Sequence, residues 1–396
     1  KTAYEIRECD WSSDVCSSDL AARKYMPVRY SPLADQFLDS DAIFEDLRAL
    51  VVSGDFTLGK VVAEFEAAFA RQIGVKHAIG VGSGTDALKV PLKAVGVGYG
   101  DEVITAANTF WATVGAIAEV GARPVFIDCD DTFGMNLDLL EGAITPRTKA
   151  IMPVQLTGNV IDMPRVNAIA SKHGLKVVED ACQSLYGEWQ GRRAGSFGIA
   201  AGFSMHPLKI INVWGDAGVI VTDDDVVADR CRLLRNHGLR TRDQMEILGY
   251  NTRLDSLQAV VGLRMLPQVA GWVEKRIANA SYYDRAFAAI PGVRIPPRAP
   301  SSKGVFLLYI LFADRRDELL AHCLAHGIEA KVHYPTPLYR QKAMQYLGHK
   351  GGDFPVTDRH AREMITLPLD QYLTTDQLDE VISVVRAFYG KQGSKH

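Results

Sequence analysis

The chain has 396 residues, 47% of them hydrophobic and 23% charged, with a formal net charge of −3. That length suggests two or three lobes of ordinary globular composition. No apolar run reaches the ~18 residues a membrane span needs, and so small a charge gives no reason to expect nucleic acid or an anionic membrane as a partner.

Residues 1–20, KTAYEIRECDWSSDVCSSDL, follow neither helix nor strand period and lack the apolar core of a signal peptide. The stretch resembles a conceptual translation of a sequencing adapter, so it is expected to be an artefact; the alternative is a native disordered tail. Without it the acidic and basic residues balance, and Cys129, Cys182, Cys231 and Cys323 remain. Their scatter, with no CxxC spacing, points to reduced thiols in a cytoplasm and to no zinc site.

From about residue 60 the pattern alternates. VVAEFEAAFARQIG places Val62, Phe65, Phe69 and Ile73 at helical spacing. HAIGVGSG predicts a strand ending in a Gly turn, and DALKVPLKAVG a helix. Then come DEVITAA (strand), WATVGAIAEVG (helix), RPVFIDC (strand), LDLLEGAI (helix), KAIMPVQL (strand), MPRVNAIASKHG (helix) and LKVVEDA (strand). Such alternation implies βαβ units and a mainly parallel sheet covered on both faces. IAAGFSMH and GVIVTD are two more strands, and DVVADRCRLLRNHG is a helix expected to be capped at Gly238. A long helical pattern from Leu254 is interrupted at Pro267. After the Pro- and Gly-rich PGVRIPPRAPSSKG come VFLLYILF (strand), RDELLAHCLAHG (helix), IEAKVHYP (strand) and TDQLDEVISVVRAFYG (helix). The division expected is a large unit over 21–265 and a smaller α+β unit over 266–396.

Three places can carry chemistry. At GVGSGTDAL a strand meets a helix N-terminus, whose free N–H groups and positive dipole end suit a phosphate. Gly84 permits close approach, and the Ser83 and Thr85 hydroxyls can add hydrogen bonds. The plain alternative is an ordinary cap made by Thr85 or Asp86. In KVVEDACQS, Glu179 and Asp180 close a strand at the end where α/β sheets bind ligands; a carboxylate there suits a protonated ring nitrogen, or simply caps a helix. In FSMHPLKIINVWGDAGV, the apolar flanks of Lys209 predict burial, which favours the neutral, nucleophilic amine; otherwise Lys209 is a surface residue that snorkels. Together, in the order phosphate cradle, carboxylate, lysine, they are what a pyridoxal phosphate site requires.

With these motifs, and with GDFTLGKVVAEFEAAFA, DEVITAANTFWAT, NHGL, GYNTRLDSLQA and VHYPTPLY, the sequence resembles the DegT/DnrJ/EryC1/StrS sugar aminotransferases over about residues 28–390. The resemblance implies a fold-type-I α/β architecture, a mostly parallel mixed sheet flanked by helices. It implies pyridoxal 5'-phosphate as cofactor and an amino acid, glutamate, as donor to a keto-sugar. Lys209 would hold the cofactor and move protons. Asp180 would pair with the ring nitrogen, and Gly84, Thr85 and Ser204 would bind the phosphate. Phe110 would stack on the ring, with Trp111 as the alternative, and Gln183 would lie near the phenolic oxygen. Asn251 would reach the phosphate of a second subunit, implying a homodimer with shared sites. Arg253, His333 and Tyr334 would border the substrate, although His333 could equally be structural and Asn251 and Arg253 could cap a helix.

Two departures stand out. QLTGNVIDM replaces the family's usual His-x-Tyr-Gly-Gln, and GDAG, with Ala217 and Gly218, replaces GDGG. The HPLKIINVWGDAGV wording is nearest to members acting on keto-sugars at C-3, among them a branch using a sugar phosphate. The sugar, its carrier group and the aminated carbon stay open. Two other functions compete. Dehydratases of the family carry histidine where Lys209 stands. A non-catalytic regulatory protein that binds cofactor or sugar need not depend on the lysine at all.

Overall fold

The computed structural model describes residues 28–31, 33 and 35–390; the adapter-like stretch lies outside them. Helix α1 (Asp41–Ser53) precedes α2 (Lys60–Ile73), which buries Val62, Phe65, Phe69 and Ile73 as their spacing predicts. The alternating segment follows as β1 (His77–Val81), α3 (Gly84–Ala94), β2 (Glu102–Ala106), α4 (Trp111–Glu119), β3 (Arg123–Ile127), α5 (Leu137–Leu140), β4 (Thr148–Ile151), α6 (Met163–Lys172) and β5 (Lys176–Asp180). Short strands β6 (Glu188–Trp189) and β7 (Arg192–Arg193) lead to β8 (Ala200–Ser204) and β9 (Gly218–Thr222).

Seven strands form one sheet in the order β1-β9-β8-β5-β4-β2-β3. Only β9 runs against the others. The sheet is therefore mixed but mostly parallel, as expected. Strands β2 and β9 are buried at every position, as a sheet covered on both faces demands. Because the other strands point the same way, the residues just after β1, β2, β5 and β8 meet at one edge, and β9 begins there.

Helix α7 (Asp225–Arg235) stops three residues before Gly238. Asn236 leaves the helix to bridge Asn251, and Gly238 takes a left-handed φ of 73° in the turn beyond. A hairpin of β10 (Leu239–Thr241) and β11 (Gln244–Met245) follows, then α8 (Ser256–Met265). At Pro267 the chain makes a 3₁₀ turn before α9 (Val269–Phe287). A second antiparallel sheet joins β12 (Val293–Arg294), β14 (Tyr309–Ala313) and β15 (Met364–Leu367), while β13 (Ser302–Lys303) pairs with β6. Helices α10 (Arg316–Ala325), α11 (Pro355–Glu363) and α12 (Thr375–Gly390) complete this part. Its core contains Tyr283, Phe287, Tyr309, Leu311, Ile365 and Val381, together with Val28 from the start of the described chain.

IEAKVHYP forms no strand. Ile328 and Lys331 each make an isolated bridge, and Tyr334 adopts a φ of 55°, which an extended strand cannot accommodate. LDLLEGAI yields only the four-residue α5 and one 3₁₀ turn.

Candidate active site

A cavity of about 310 Å³ opens where β1, β5 and β8 end. Gly84, Thr85, Phe110, Asp180, Gln183, Ser204, Lys209, His333 and Tyr334 all line it. Asn251 and Arg253 do not. Asn251 is exposed, and Arg253 donates from Nη1 to the Asn236 side chain at 3.1 Å.

One end of the cavity is built from α3. Ser83, not Thr85 or Asp86, caps this helix: its Oγ accepts from the Asp86 N–H at 3.1 Å. The N–H groups of Gly84 and Thr85 are among those a helix leaves without an internal carbonyl, and they sit at its positive end. Two glycines keep this corner open. A β-carbon on Gly84 would lie 2.6 Å from the Ser204 Cβ, and one on Gly218 would lie 2.6 Å from the Ser83 carbonyl carbon. Ala217 therefore replaces the glycine of GDGG that the corner can spare; its side chain is buried in the main core.

At another wall, β5 ends at Asp180, which is 5% exposed. Thr113 donates to its Oδ2 at 2.7 Å, and the Cys182 N–H to its Oδ1 at 3.2 Å. Thr113 is in turn 2.7 Å from the Thr109 hydroxyl. These bonds fix the orientation of the carboxylate. Neighbouring Glu179 points elsewhere: its buried carboxylate accepts the N–H groups of Gly195, Phe197 and Gly198. Asp180 is thus the carboxylate of the pair that serves the cavity.

Lys209 follows β8 on a loop. Burial depresses its pKa, against the opposing pull of Cys182 and Asp180. Its amine is 6.0 Å from the Phe110 ring centre. Phe110 lines the cavity, whereas Trp111 is 54% exposed and lies outside it.

Gln183 is fixed through both ends of its amide. Thr157 N–H donates to Oε1 at 2.8 Å, and Nε2 donates to the Tyr334 hydroxyl at 3.3 Å. Thr157 belongs to QLTGNV and holds a φ of 62°; this departure from the family pattern therefore acts on a site residue. Burial pushes Tyr334 up to about 12. His333 Nδ1 lies 2.7 Å from the Thr366 hydroxyl, and its Nε2 3.3 Å from the Tyr30 hydroxyl. Burial first, then the charges of Lys331 and Lys209, pull His333 down to about 4. Its ring is neutral near pH 7.

Sequence reasoning missed Tyr30, Leu307 and Leu308, which also line the cavity. They come from segments distant in the chain and carry no local motif. Cys182, two residues after Asp180, and His206, in the lysine motif, line the cavity as well.

The pattern of the DegT/DnrJ/EryC1/StrS aminotransferase family matches residues 38–386. The chain belongs to that family. It is 40% identical to the pleiotropic regulatory protein of Geobacillus stearothermophilus, covering 88% of this chain and 94% of that one. It is 38% identical to the dTDP-3-amino-3,4,6-trideoxy-α-D-glucose transaminase of Streptomyces venezuelae, over 88% and 95% of the two chains. Among solved structures it resembles Streptomyces venezuelae DesV, caught with a ketimine intermediate, with a TM-score of 0.89, 36% identity and coverage of 91% and 98%. The enzyme is an aminotransferase of fold type I that works with pyridoxal phosphate, the cofactor of its family. The cavity fits that group. An open corner with helix N–H donors, a carboxylate held in place by Thr113 and the Cys182 N–H, and a buried amine are present together.

Proposed function

We propose that this enzyme moves an amino group from an amino acid, glutamate, to the C-3 keto group of a nucleotide-linked or phosphorylated sugar. The observation that carries this reading is the meeting of Lys209, Asp180 and the N-terminus of α3 at one cavity. The Streptomyces venezuelae relative, named for a 3-amino sugar, supports the choice of carbon.

Pyridoxal phosphate supplies, when bound, a reactive carbonyl and a ring that withdraws electrons. In this reading the Gly84 and Thr85 N–H groups and the Ser204 hydroxyl bind its phosphate. Asp180 accepts the ring N–H, Phe110 covers one face, and Gln183 donates beside the ring oxygen. Lys209, with its pKa depressed, takes a proton from the substrate carbon and returns one in the second half-reaction. His333 and Tyr334, joined by Tyr30, border the sugar. The neutral His333 ring and the protonated Tyr334 hydroxyl suit hydrogen bonding to hydroxyl groups.

Asn251 and Arg253 lie off the cavity of their own chain, and we assign them to the site of a second copy in a homodimer. We take 21–265 as the cofactor-binding unit and 266–396 as the smaller one. No helix among the described residues is long and apolar enough to cross a membrane. We place the enzyme in the cytoplasm, in keeping with its free thiols.

Lys209 stands against the dehydratase alternative. The regulatory name of the Geobacillus relative raises the other alternative, but a buried amine beside an oriented carboxylate is catalytic equipment. The test is an absorption spectrum of the cofactor-loaded protein before and after glutamate, beside Lys209→Ala. The expected result is a visible band that depends on Lys209 and that glutamate bleaches, with candidate 3-keto sugars restoring it. A band unchanged by Lys209→Ala would overturn the assignment of the lysine, and a band indifferent to glutamate would overturn the donor.

A further inference from the structure

We propose that Arg276 anchors the α-carboxylate of the amino acid donor, in a recess that shares Lys209 with the cofactor cavity. This rests on the amino acid donor proposed above.

Arg276 lies on α9 and is 6% exposed. Its guanidinium donates to three neutral acceptors: Gln371 Oε1 at 3.0 Å, the Phe306 carbonyl at 3.1 Å and the Leu369 carbonyl at 3.1 Å. Among the described residues, no carboxylate forms an ion pair with it. Asp370 acts on it electrostatically, but that carboxylate accepts the N–H groups of Tyr372 and Leu373 at 2.7 and 3.0 Å. A buried guanidinium held by neutral acceptors, with no carboxylate bonded to it among the described residues, offers an anion from outside a ready place.

The recess identifies the anion. It measures about 30 Å³, and Tyr30, Leu208, Lys209, Leu307 and Leu308 line both it and the larger cavity. On this measure one water needs ~10–15 Å³. The recess therefore suits the two oxygens of a carboxylate and is too small for a sugar phosphate. In an amino acid the α-carboxylate is bonded to the carbon that carries the amine. When that carbon is within reach of Lys209, the carboxylate must be close by. No other arginine lines either space among the described residues, and a guanidinium matches a carboxylate through paired N–H donors.

The experiment uses the cofactor-loaded enzyme without sugar. The loss of its visible absorbance is followed with glutamate and with isoglutamine, which is glutamate with an α-amide. Wild type is expected to need at least about tenfold less glutamate than isoglutamine for half-maximal rate, the scale of one charge-assisted hydrogen bond. Arg276→Gln should erase that preference by weakening glutamate alone, and Arg276→Lys should keep part of it. A merely structural role would slow both donors alike and leave the ratio intact. A wild type that treats the two donors equally, or an Arg276→Lys variant and an Arg276→Gln variant that both keep the full preference, overturns the proposal and leaves the transaminase reading standing. A wild type that no amino acid bleaches overturns the donor reading and this proposal together.

Discussion

Gly218 faces the Ser83 carbonyl so closely that a β-carbon on it would stand 2.6 Å from the carbonyl carbon and 3.0 Å from the Gly84 nitrogen. The first residue of β9 thus presses against the cap of α3, the corner proposed to bind phosphate. Backbone, unlike a flexible side chain, cannot swing aside. Gly218→Ala must displace the start of α3 and with it the Gly84 and Thr85 N–H groups. We expect a loss of about 1–3 kcal/mol of stability from overpacking and at least about tenfold weaker cofactor binding, one lost charge-assisted hydrogen bond. Titration of the apoenzyme with pyridoxal phosphate measures the second effect. Unchanged affinity would show that the corner does not hold the phosphate.

The Thr109–Thr113–Asp180 chain makes a separate prediction. Asp180→Asn keeps the shape but removes the charge proposed to hold the ring nitrogen protonated. Turnover should fall about 10²–10³-fold, the scale of losing one preorganised electrostatic group, while the protein still folds. Thr113→Val removes one orienting bond and should cost far less. Comparing single-turnover rates of the two variants checks the order. A Thr113→Val defect equal to that of Asp180→Asn would mean that orientation, not charge, is what Asp180 supplies.

The legible part of this site is the part that is local. GSGTD, VVEDA and FSMHPLK each end a strand, and a parallel sheet brings such ends together, so Gly84, Asp180, Ser204 and Lys209 meet as expected. An ordinary cap at Thr85 or Asp86, the plain alternative, lies two or three residues past the true cap Ser83, because Ser, Thr and Asp stand within four positions and all can cap. Tyr30, Leu307 and Leu308 were invisible, since only tertiary packing carries them into the cavity. The failed strand at 328–335 shows the same limit: alternation in IEAKVHYP is genuine, but Tyr334 turns into a left-handed conformation and its hydroxyl receives the Gln183 amide. Arg276 hides within an amphipathic helix pattern, where its burial cannot be read.

His333 gives the protein a pH dependence with a defined sign. Its folded pKa of about 4 lies below the ordinary 6.5, so between these values the unfolded chain binds more protons. Stability from this group is fully present above about pH 6.5 and is lost as pH falls through 4. The group contributes at most about 3 kcal/mol. His333→Gln should lose some stability at pH 7 but show a shallower decline between pH 7 and 4.5. Urea unfolding midpoints at both pH values measure the difference. A parallel decline in the two proteins would mean that His333 is not the group responsible.

Asp128, just after β3, links the two sheets' surroundings in a single buried carboxylate, 5% exposed. Its Oδ2 accepts from the Val356 N–H at 2.8 Å. Its Oδ1 accepts from the Thr357 N–H at 2.9 Å and the Thr357 hydroxyl at 2.7 Å. It therefore supplies, from a distant part of the chain, the acceptor that the first turn of α11 lacks, with the negative charge at the favourable end of the helix dipole. Asp128→Ala leaves these donors buried and unpaired. The expected cost is about 2–4 kcal/mol, read from chemical unfolding. Asp128→Asn keeps an acceptor oxygen and should cost less than half as much. Because Cys129 and His360 pack beside this contact, with Sγ 3.4 Å from Nδ1, the Ala variant should also expose the Cys129 thiol. Burial now holds that thiol's pKa far above its ordinary value. Faster reaction of the variant with a thiol reagent, without global unfolding, would localise the damage to this junction; an unchanged rate would show that α11 stays seated without its cap.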